Sequence, residues 1–123
     1  MIKLTFEELL ILHDYALEEG GLPGINNESA LHSALENPFA TYDGEDLYKT
    51  DEEKIAMTIY SLINNHGFKD ANKRTAILVF HILLDSCDIE LNVVDDDYIQ
   101  LALDITQTYD KDDIKRWILK HKI

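Results

Sequence analysis

The sequence contains one nearly continuous apolar run, Thr75-Ala76-Ile77-Leu78-Val79-Phe80-His81-Ile82-Leu83-Leu84. A helix that is apolar nearly all round is buried on most of its faces. The run therefore predicts a buried helix around which the rest of the chain packs. We interpret His81, the one ionisable residue in the run, as a core histidine with a hydrogen-bond partner, since buried polar groups are normally paired.

Signals for helix starts recur on both sides of this run. Each signal begins with a side chain that can accept a hydrogen bond from amides of the first turn, or with acidic residues that complement the helix dipole. Apolar residues at helical spacing follow it in the sequence. The signals are Thr5-Phe6-Glu7-Glu8, Asn27, Thr50-Asp51-Glu52-Glu53, Asp95-Asp96-Asp97 and Asp110. They predict helices before and after the apolar run.

Residues 39–49 break this helical pattern. They contain Tyr42, Asp43-Gly44 and Tyr48, which favour an exposed loop or a small hairpin. Strand signals are otherwise few. We therefore predict an all-α fold, a single domain over residues 1–123, with about six helices around a buried central helix and a small flap.

Composition narrows the class of protein. Apolar residues make up 46% of the 123 residues, which argues against disorder, and no stretch approaches the length of a membrane span. The lone Cys87 excludes a disulfide scaffold and a cysteine zinc site. The net charge of −13 would repel a phosphate backbone, so direct nucleic-acid binding is disfavoured. With no signal peptide at the N-terminus, we expect a cytoplasmic protein.

The segment just before the apolar run reverses this charge. Between His66 and Arg74, the cations Lys69, Lys73 and Arg74 face a single acid, Asp70. A loop that enters the N-terminus of a buried helix presents unpaired amides and a positive dipole, which together bind phosphate. This placement predicts that the lysines and Arg74 bind phosphate groups, Arg74 through its bidentate fork.

Three further residues in this segment fit phosphoryl or nucleotidyl transfer. Asn72 can donate its amide to a phosphate oxygen. Asp70 suits Mg²⁺, which prefers one or two carboxylates together with substrate phosphates. His66 is the one group here that can take a proton from an attacking hydroxyl near neutral pH. The simpler interpretation is that Asp70 and Asn72 cap the helix and His66 is a polar loop residue.

The segment His66-Gly67-Phe68-Lys69-Asp70-Ala71-Asn72-Lys73-Arg74 resembles the active-site motif of the Fic superfamily in its Doc form. Doc proteins have Ala-Asn-Lys-Arg where typical Fic proteins have Gly-Asn-Gly-Arg. The likeness extends along the chain through Leu12-His13, Gly20-Gly21 and Ser33-Ala34-Leu35. It implies a helical Fic/Doc domain and an enzyme that uses ATP and Mg²⁺.

The resemblance also implies roles for individual residues. His66 matches the general base, Asp70 the magnesium ligand, and Asn72 and Arg74 the phosphate-binding pair. Phe68 matches the aromatic residue that anchors the loop in the core. Tyr42 and Tyr48 fall in the region that forms a target-docking flap in Fic proteins, although an ordinary loop is an equal alternative. Gly67 stands where many Fic motifs have proline, so we expect a looser loop.

Lys73 bears on which group is transferred. It replaces the glycine that lets typical Fic enzymes place their nucleotide for AMP transfer. Doc proteins instead bind ATP with its terminal phosphate at the histidine, and phosphorylate a threonine of elongation factor Tu, which arrests translation. The resemblance therefore implies a toxin with protein kinase activity. The alternatives are an AMP transferase and a catalytically inactive binding protein or co-regulator.

The resemblance implies a separate inhibitor as well. Ser33-Ala34-Leu35-Glu36-Asn37 is one residue short of the self-inhibitory signature of many Fic proteins. Inhibition would then come from another protein, for Doc a Phd-type antitoxin whose disordered tail folds onto the toxin. The sequence leaves open the target residue, the antitoxin, the host and the oligomeric state.

Overall fold

Six α-helices account for most of the fold in the computed structural model, which describes residues 1–123. Two short 3₁₀ turns, Leu17–Glu19 and Asn37–Phe39, extend the first two helices, and a two-stranded hairpin precedes the third. The elements are α1 Phe6–Ala16, α2 Glu28–Glu36, β1 Thr41–Tyr42, β2 Glu45–Asp46, α3 Asp51–Asn64, α4 Asn72–Ser86, α5 Asp95–Gln107 and α6 Lys111–His121. The all-α prediction is confirmed.

The helices begin where the sequence signals placed them. Thr5 forms the predicted capping box, accepting from the Glu8 amide at 3.1 Å while the Glu8 carboxylate accepts from the Thr5 amide at 3.0 Å. Asn27 accepts from Ala30, and Asp110 forms a box with Asp113. Each bond satisfies an amide that would otherwise have no partner in the first helical turn.

Two helices share the centre of the bundle. Six residues of α4 are buried, at the spacing of one helical face, and they pack against α3 and α1. Helix α3 contributes eight buried residues and contacts α2, α4, α5 and α6. The predicted central helix is therefore one of a packed pair. No helix is both long enough and apolar enough to cross a membrane.

The interpretation of His81 was wrong. Helix α4 is not covered on all sides, and His81 lies on its exposed edge instead of in the core. Its ring lies 4.4 Å from that of Tyr98 on α5, and it makes no hydrogen bond within the protein. The histidine interrupts the apolar run at the position where the helix faces outward.

The predicted hairpin occupies the connection between α2 and α3. Thr41 pairs with Asp46 and Tyr42 with Glu45, across a turn in which Asp43 and Gly44 adopt positive φ. Lys54 of α3 is 8% exposed and holds the base of the hairpin, donating to the Asp46 carboxylate at 3.2 Å and to the Tyr48 carbonyl. The hairpin is thus fastened to the helix that leads into the motif loop.

Candidate active site

The candidate site is built on the loop between α3 and α4, which we call the motif loop, residues 65–71. Two of its residues have left-handed backbone, His66 with φ 47° and Ala71 with φ 63°. Such a conformation costs a residue with a Cβ about 1–3 kcal/mol, so neighbouring structure must hold it in place. Ala71 occupies the position at which typical Fic motifs carry glycine, and it starts α4 without a side-chain cap.

A second segment pairs with the motif loop and fixes its path. We call residues 20–27, which contain Gly20, Gly21 and Gly24, the glycine segment. The amides of Asn26 and Asn27 both donate to the Gly67 carbonyl, at 2.8 and 3.0 Å. The Lys69 amide donates to the Gly24 carbonyl at 3.0 Å. The backbone of the motif loop is therefore hydrogen-bonded to the glycine segment at two points, Gly67 and Lys69.

Gly67 does not loosen the loop, contrary to our expectation. The residue is buried, and a Cβ built there would lie 2.2 Å from Cδ2 of Leu31, inside any permissible contact. Its carbonyl accepts the two amide bonds from the glycine segment. Glycine is needed at this position because α2 packs directly against the loop backbone.

Phe68 anchors the motif loop, and it is 2% exposed. Asn72 clasps the backbone of the same residue, since its Oδ1 accepts from the Phe68 amide at 3.1 Å and its Nδ2 donates to the Phe68 carbonyl at 3.0 Å. The second N–H of the Asn72 amide is left to bind another acceptor. Asn72 therefore holds the backbone of the motif loop in place, and it keeps one N–H for a ligand.

Asp70 is held by two backbone amides. Its Oδ1 accepts from Ala71 at 2.7 Å and its Oδ2 from Leu22, in the glycine segment, at 3.1 Å. The bond from Ala71 and then that from Leu22 lower the pKa of Asp70 below its ordinary value of 3.8. Asp70 therefore remains an ionised carboxylate with unused lone pairs, the form that a hard cation binds.

The start of α4 presents an anion-binding surface beside this carboxylate. The first helical hydrogen bond runs from Thr75 to the Ala71 carbonyl, so the amides of Asn72, Lys73 and Arg74 have no acceptor in the protein. These amides lie at the positive end of the helix dipole. Together they suit phosphate oxygens.

The cations of the motif lie around this helix start in different environments. Arg74 is half-buried, and its Nη1 donates to the Ala16 carbonyl at the end of α1, at 2.6 Å. A Cβ on Gly21 would lie 3.1 Å from both Arg74 Nη2 and Asp70 Oδ2, so Gly21 leaves room for both groups. Lys69 and Lys73 are exposed, and Lys69 lies over Gly24.

His66 is exposed at the start of the motif. Its carbonyl accepts from Asn26 Nδ2 at 3.2 Å, whereas its imidazole is exposed and has no hydrogen-bond partner in the protein. The ring is thus accessible to another molecule. The structure brings His66, Asp70, Asn72, Lys73 and Arg74 onto one loop and helix start.

The two predicted flap tyrosines differ. Tyr42 is 79% exposed at the hairpin turn. Tyr48 is half-buried, and Lys111 of α6 lies 5.8 Å from its ring centroid. Tyr42 is therefore the one with a freely accessible ring.

The sequence did not reveal the residues that support the loop from a distance. His13 is 4% exposed and its Nε2 donates to the Asp70 carbonyl at 3.0 Å. The Leu22 amide also supports the loop by donating to the Asp70 carboxylate, and the Asn26 side chain does so by donating to the His66 carbonyl. The sequence did mark this supporting segment, because it contains three glycines, Gly20, Gly21 and Gly24, and a single glycine is enough to end a helix.

The comparisons with known proteins agree with this arrangement. The model of the Fic/DOC family matches residues 3–84, a span that contains the glycine segment, the motif loop and most of α4. The chain is also similar to the protein named Toxin Doc of Mycolicibacterium smegmatis, with 39% identity over 57 residues. That match spans 46% of this chain and 44% of the relative, so less than half of the relative's length is covered. Because the family model covers most of the chain, including the whole candidate site, this protein belongs to the Fic/DOC family.

Proposed function

We propose that the protein is the toxin of a toxin–antitoxin system and transfers the terminal phosphate of ATP to a hydroxyl of a protein target. One observation carries this proposal. The free imidazole of His66, the ionised Asp70 and the three free amides of α4 lie within one stretch of nine residues. A base, a cation ligand and an anion site in such proximity are the parts that phosphoryl transfer requires.

In the proposed reaction, the target hydroxyl oxygen forms a bond to the terminal phosphorus of ATP. The bond from that phosphorus to the oxygen bridging to the β-phosphate breaks, and ADP leaves. The hydroxyl proton passes to His66, whose imidazole is unpaired within the protein. The amides of Asn72, Lys73 and Arg74, with the Arg74 guanidinium, hold the phosphate oxygens.

Asp70 is the residue that would hold Mg²⁺. Its lowered pKa and its fixed carboxylate fit a hard cation. The structure contains no group of three or more His, Cys, Asp or Glu side chains that could hold a metal ion, so the other ligands would have to come from the substrate or from water. A single carboxylate combined with phosphate oxygens is a usual environment for Mg²⁺. When bound, the ion supplies neutralisation of the phosphate charge.

Lys73 favours phosphate transfer over AMP transfer. Its side chain is exposed in the first turn of α4, at the position where typical Fic enzymes have glycine. A lysine there adds volume and charge beside the nucleotide, so the nucleotide of an AMP transferase would not fit in the same way. The target we propose is elongation factor Tu and the inhibitor a Phd-type antitoxin, both on the resemblance to Doc proteins.

The test uses purified elongation factor Tu and ATP labelled on either the α- or the γ-phosphate. We expect γ-label on the target, and no label with His66→Ala. Transfer of α-label would make the protein an AMP transferase. If toxicity in cells persisted in His66→Ala, the protein would act by binding alone.

A further inference from the structure

Lys69 is a cation of the motif loop to which the proposed reaction assigns no role. Seven of the eleven lysine and arginine side chains form an ion pair with a carboxylate of the protein. The four that do not are Lys69, Lys73, Arg74 and Lys120. Lys73 and Arg74 lie in the first turn of α4, at the proposed phosphate site. Lys69 precedes that turn and is exposed, so its unpaired ammonium is accessible to another molecule.

The pairing of the motif loop with the glycine segment fixes the direction of the Lys69 side chain. Phe68 forms an antiparallel bridge with Ile25. Next to this bridge, the Lys69 amide donates to the Gly24 carbonyl at 3.0 Å. Successive side chains of an extended segment point to opposite faces. Because Phe68 is buried, Lys69 points outward.

Gly24 leaves the space in which the Lys69 side chain lies. A Cβ built on Gly24 would be 3.1 Å from Cδ, 3.3 Å from Cε and 3.6 Å from Nζ of Lys69. The outer half of the side chain therefore runs along the backbone of the glycine segment. Its ammonium is positioned beside that segment.

The glycine segment contacts the parts of the candidate site in order. A Cβ on Gly21 would lie 3.1 Å from Nη2 of Arg74, which we propose to hold phosphate. Further along the segment, the Asn26 side chain donates to the carbonyl of His66, the proposed base. Lys69 contacts the segment between these two points. A target hydroxyl has to reach His66, so the target residues beside that hydroxyl would pass the Lys69 ammonium.

We propose that Lys69 binds an acidic side chain of the protein target, close to the hydroxyl that receives the phosphate. The assignment rests on the proposed function and differs from the phosphate role that the sequence predicted for Lys69. A target carboxylate would be attracted to Lys69 and repelled by the rest of a chain with net charge −13, so the pair would also set the position of the target. Leu22 and Ile25, which are 67% and 36% exposed, offer apolar surface in the same segment to the residues next to that carboxylate.

The experiment measures the KM for purified elongation factor Tu with γ-labelled ATP, and the Kd for inorganic tripolyphosphate with Mg²⁺ by calorimetry. The variants are Lys69→Met, which removes the charge, Lys69→Glu, which reverses it, and Lys69→Arg, which keeps it. Lys120→Met and Lys120→Glu are the matched controls, because Lys120 is also exposed and unpaired but lies on α6. Both lysines are exposed, so all the variants should fold.

We expect the KM for the factor to rise about threefold to fivefold in Lys69→Met and at least about tenfold in Lys69→Glu, and to stay near the wild-type value in Lys69→Arg. The wild-type KM should rise with NaCl concentration, and that of Lys69→Met should rise less steeply. The Kd for tripolyphosphate should stay unchanged in all of them, and the Lys120 variants should alter neither constant.

Three results overturn the assignment. Lys69→Glu could leave the KM at the wild-type value. Lys69→Glu and Lys120→Glu could raise the KM equally, which would make the effect one of net charge. Lys69→Met could weaken tripolyphosphate binding as much as it raises the KM, which would make Lys69 a ligand of the nucleotide phosphates.

The proposed function fails in a different way. If the wild type transfers no label to elongation factor Tu, the kinase proposal on that target is wrong, and growth arrest in cells becomes the measurement. Lys69→Glu should then relieve the arrest while Lys120→Glu does not, and equal arrest by the two variants overturns the assignment. If Lys69→Glu labels the factor with the wild-type KM, the kinase proposal stands and the assignment of Lys69 is wrong. A wild type that neither labels the factor nor arrests growth overturns both.

Discussion

The imidazole of His13 lies face to face with the phenyl ring of Phe68, with ring centroids 3.7 Å apart and planes within 3° of parallel. The same imidazole donates from Nε2 to the carbonyl of Asp70. One buried side chain on α1 thus fixes both the anchor of the motif loop and the backbone of the residue that we propose as the magnesium ligand.

His13 should therefore act as a positioning residue. We expect His13→Phe, which keeps an aromatic ring but loses the donor, to lower kcat by about tenfold to a hundredfold through displacement of Asp70. His13→Gln, which can still donate, should recover part of the loss. If the two variants lose kcat equally and in proportion to their thermal stability, the role of His13 is only structural.

Gly67→Ala should destabilise the fold through Leu31. The added Cβ would lie 2.2 Å from the Leu31 side chain, and overpacking of this kind costs about 1–3 kcal/mol in the free energy of unfolding. Leu31→Ala alone should cost about 2–5 kcal/mol, because the side chain is 2% exposed. The double variant should cost less than the two single costs added together. Additive values from denaturant unfolding would contradict a direct clash.

Asp70 should give a pH-dependent contribution to stability. Its pKa in the folded chain is depressed by the amides of Ala71 and Leu22. Its contribution is therefore present above the unfolded-state pKa, near 3.8, and is lost as the pH falls through the lower folded-state pKa. We expect the difference in unfolding free energy between wild type and Asp70→Asn to shrink below that pH. A difference that is constant with pH would show that the carboxylate charge contributes nothing.

The two arginines of the chain offer a matched comparison for phosphate binding. Arg74→Ala removes the guanidinium at the start of α4, whereas Arg116→Ala removes an exposed one that pairs with Asp113 on α6. We expect Arg74→Ala to weaken tripolyphosphate binding by at least about tenfold, and Arg116→Ala to leave it unchanged. Equal effects would indicate a diffuse attraction to positive charge.

Lys54 should control the hairpin without contacting the nucleotide. Lys54→Met removes the donor to Asp46 and Tyr48 but keeps an unbranched side chain. We expect faster hydrogen exchange at residues 41–48 and a higher KM for the protein target, with an unchanged Kd for ATP. Loss of ATP binding in this variant would mean that the hairpin supports the motif loop as well.

The parts of the fold that depend on local chemistry could be predicted from the sequence. The caps at Thr5, Asn27 and Asp110 lie within three residues of the amides they satisfy, so spacing alone identifies them. The motif loop could be located because its charges reverse the sign of the chain. The hairpin followed from Asp43-Gly44, whose residues tolerate positive φ.

The parts that depend on contacts between distant segments could not be predicted. We expected Gly67 to loosen the loop because the sequence does not show that α2 packs against it, and we interpreted His81 as buried because the residues on both sides of it are apolar. The support from His13 was invisible for the same reason. Its partner Asp70 lies 57 positions away along the chain.

Three of the bonds that hold the site join residues that are far apart in the chain. His13 donates to the Asp70 carbonyl, Arg74 donates to the Ala16 carbonyl 58 positions away, and Asn26 donates to the His66 carbonyl 40 positions away. During synthesis, α1 and the glycine segment leave the ribosome well before the motif loop and must wait for it. The geometry of the candidate site can therefore form only after α1 and the glycine segment have packed against the motif loop, and a chain clipped within α1 should lose the activity we propose. Enzymatic activity would then report on the docking of α1 more sensitively than total helix content does.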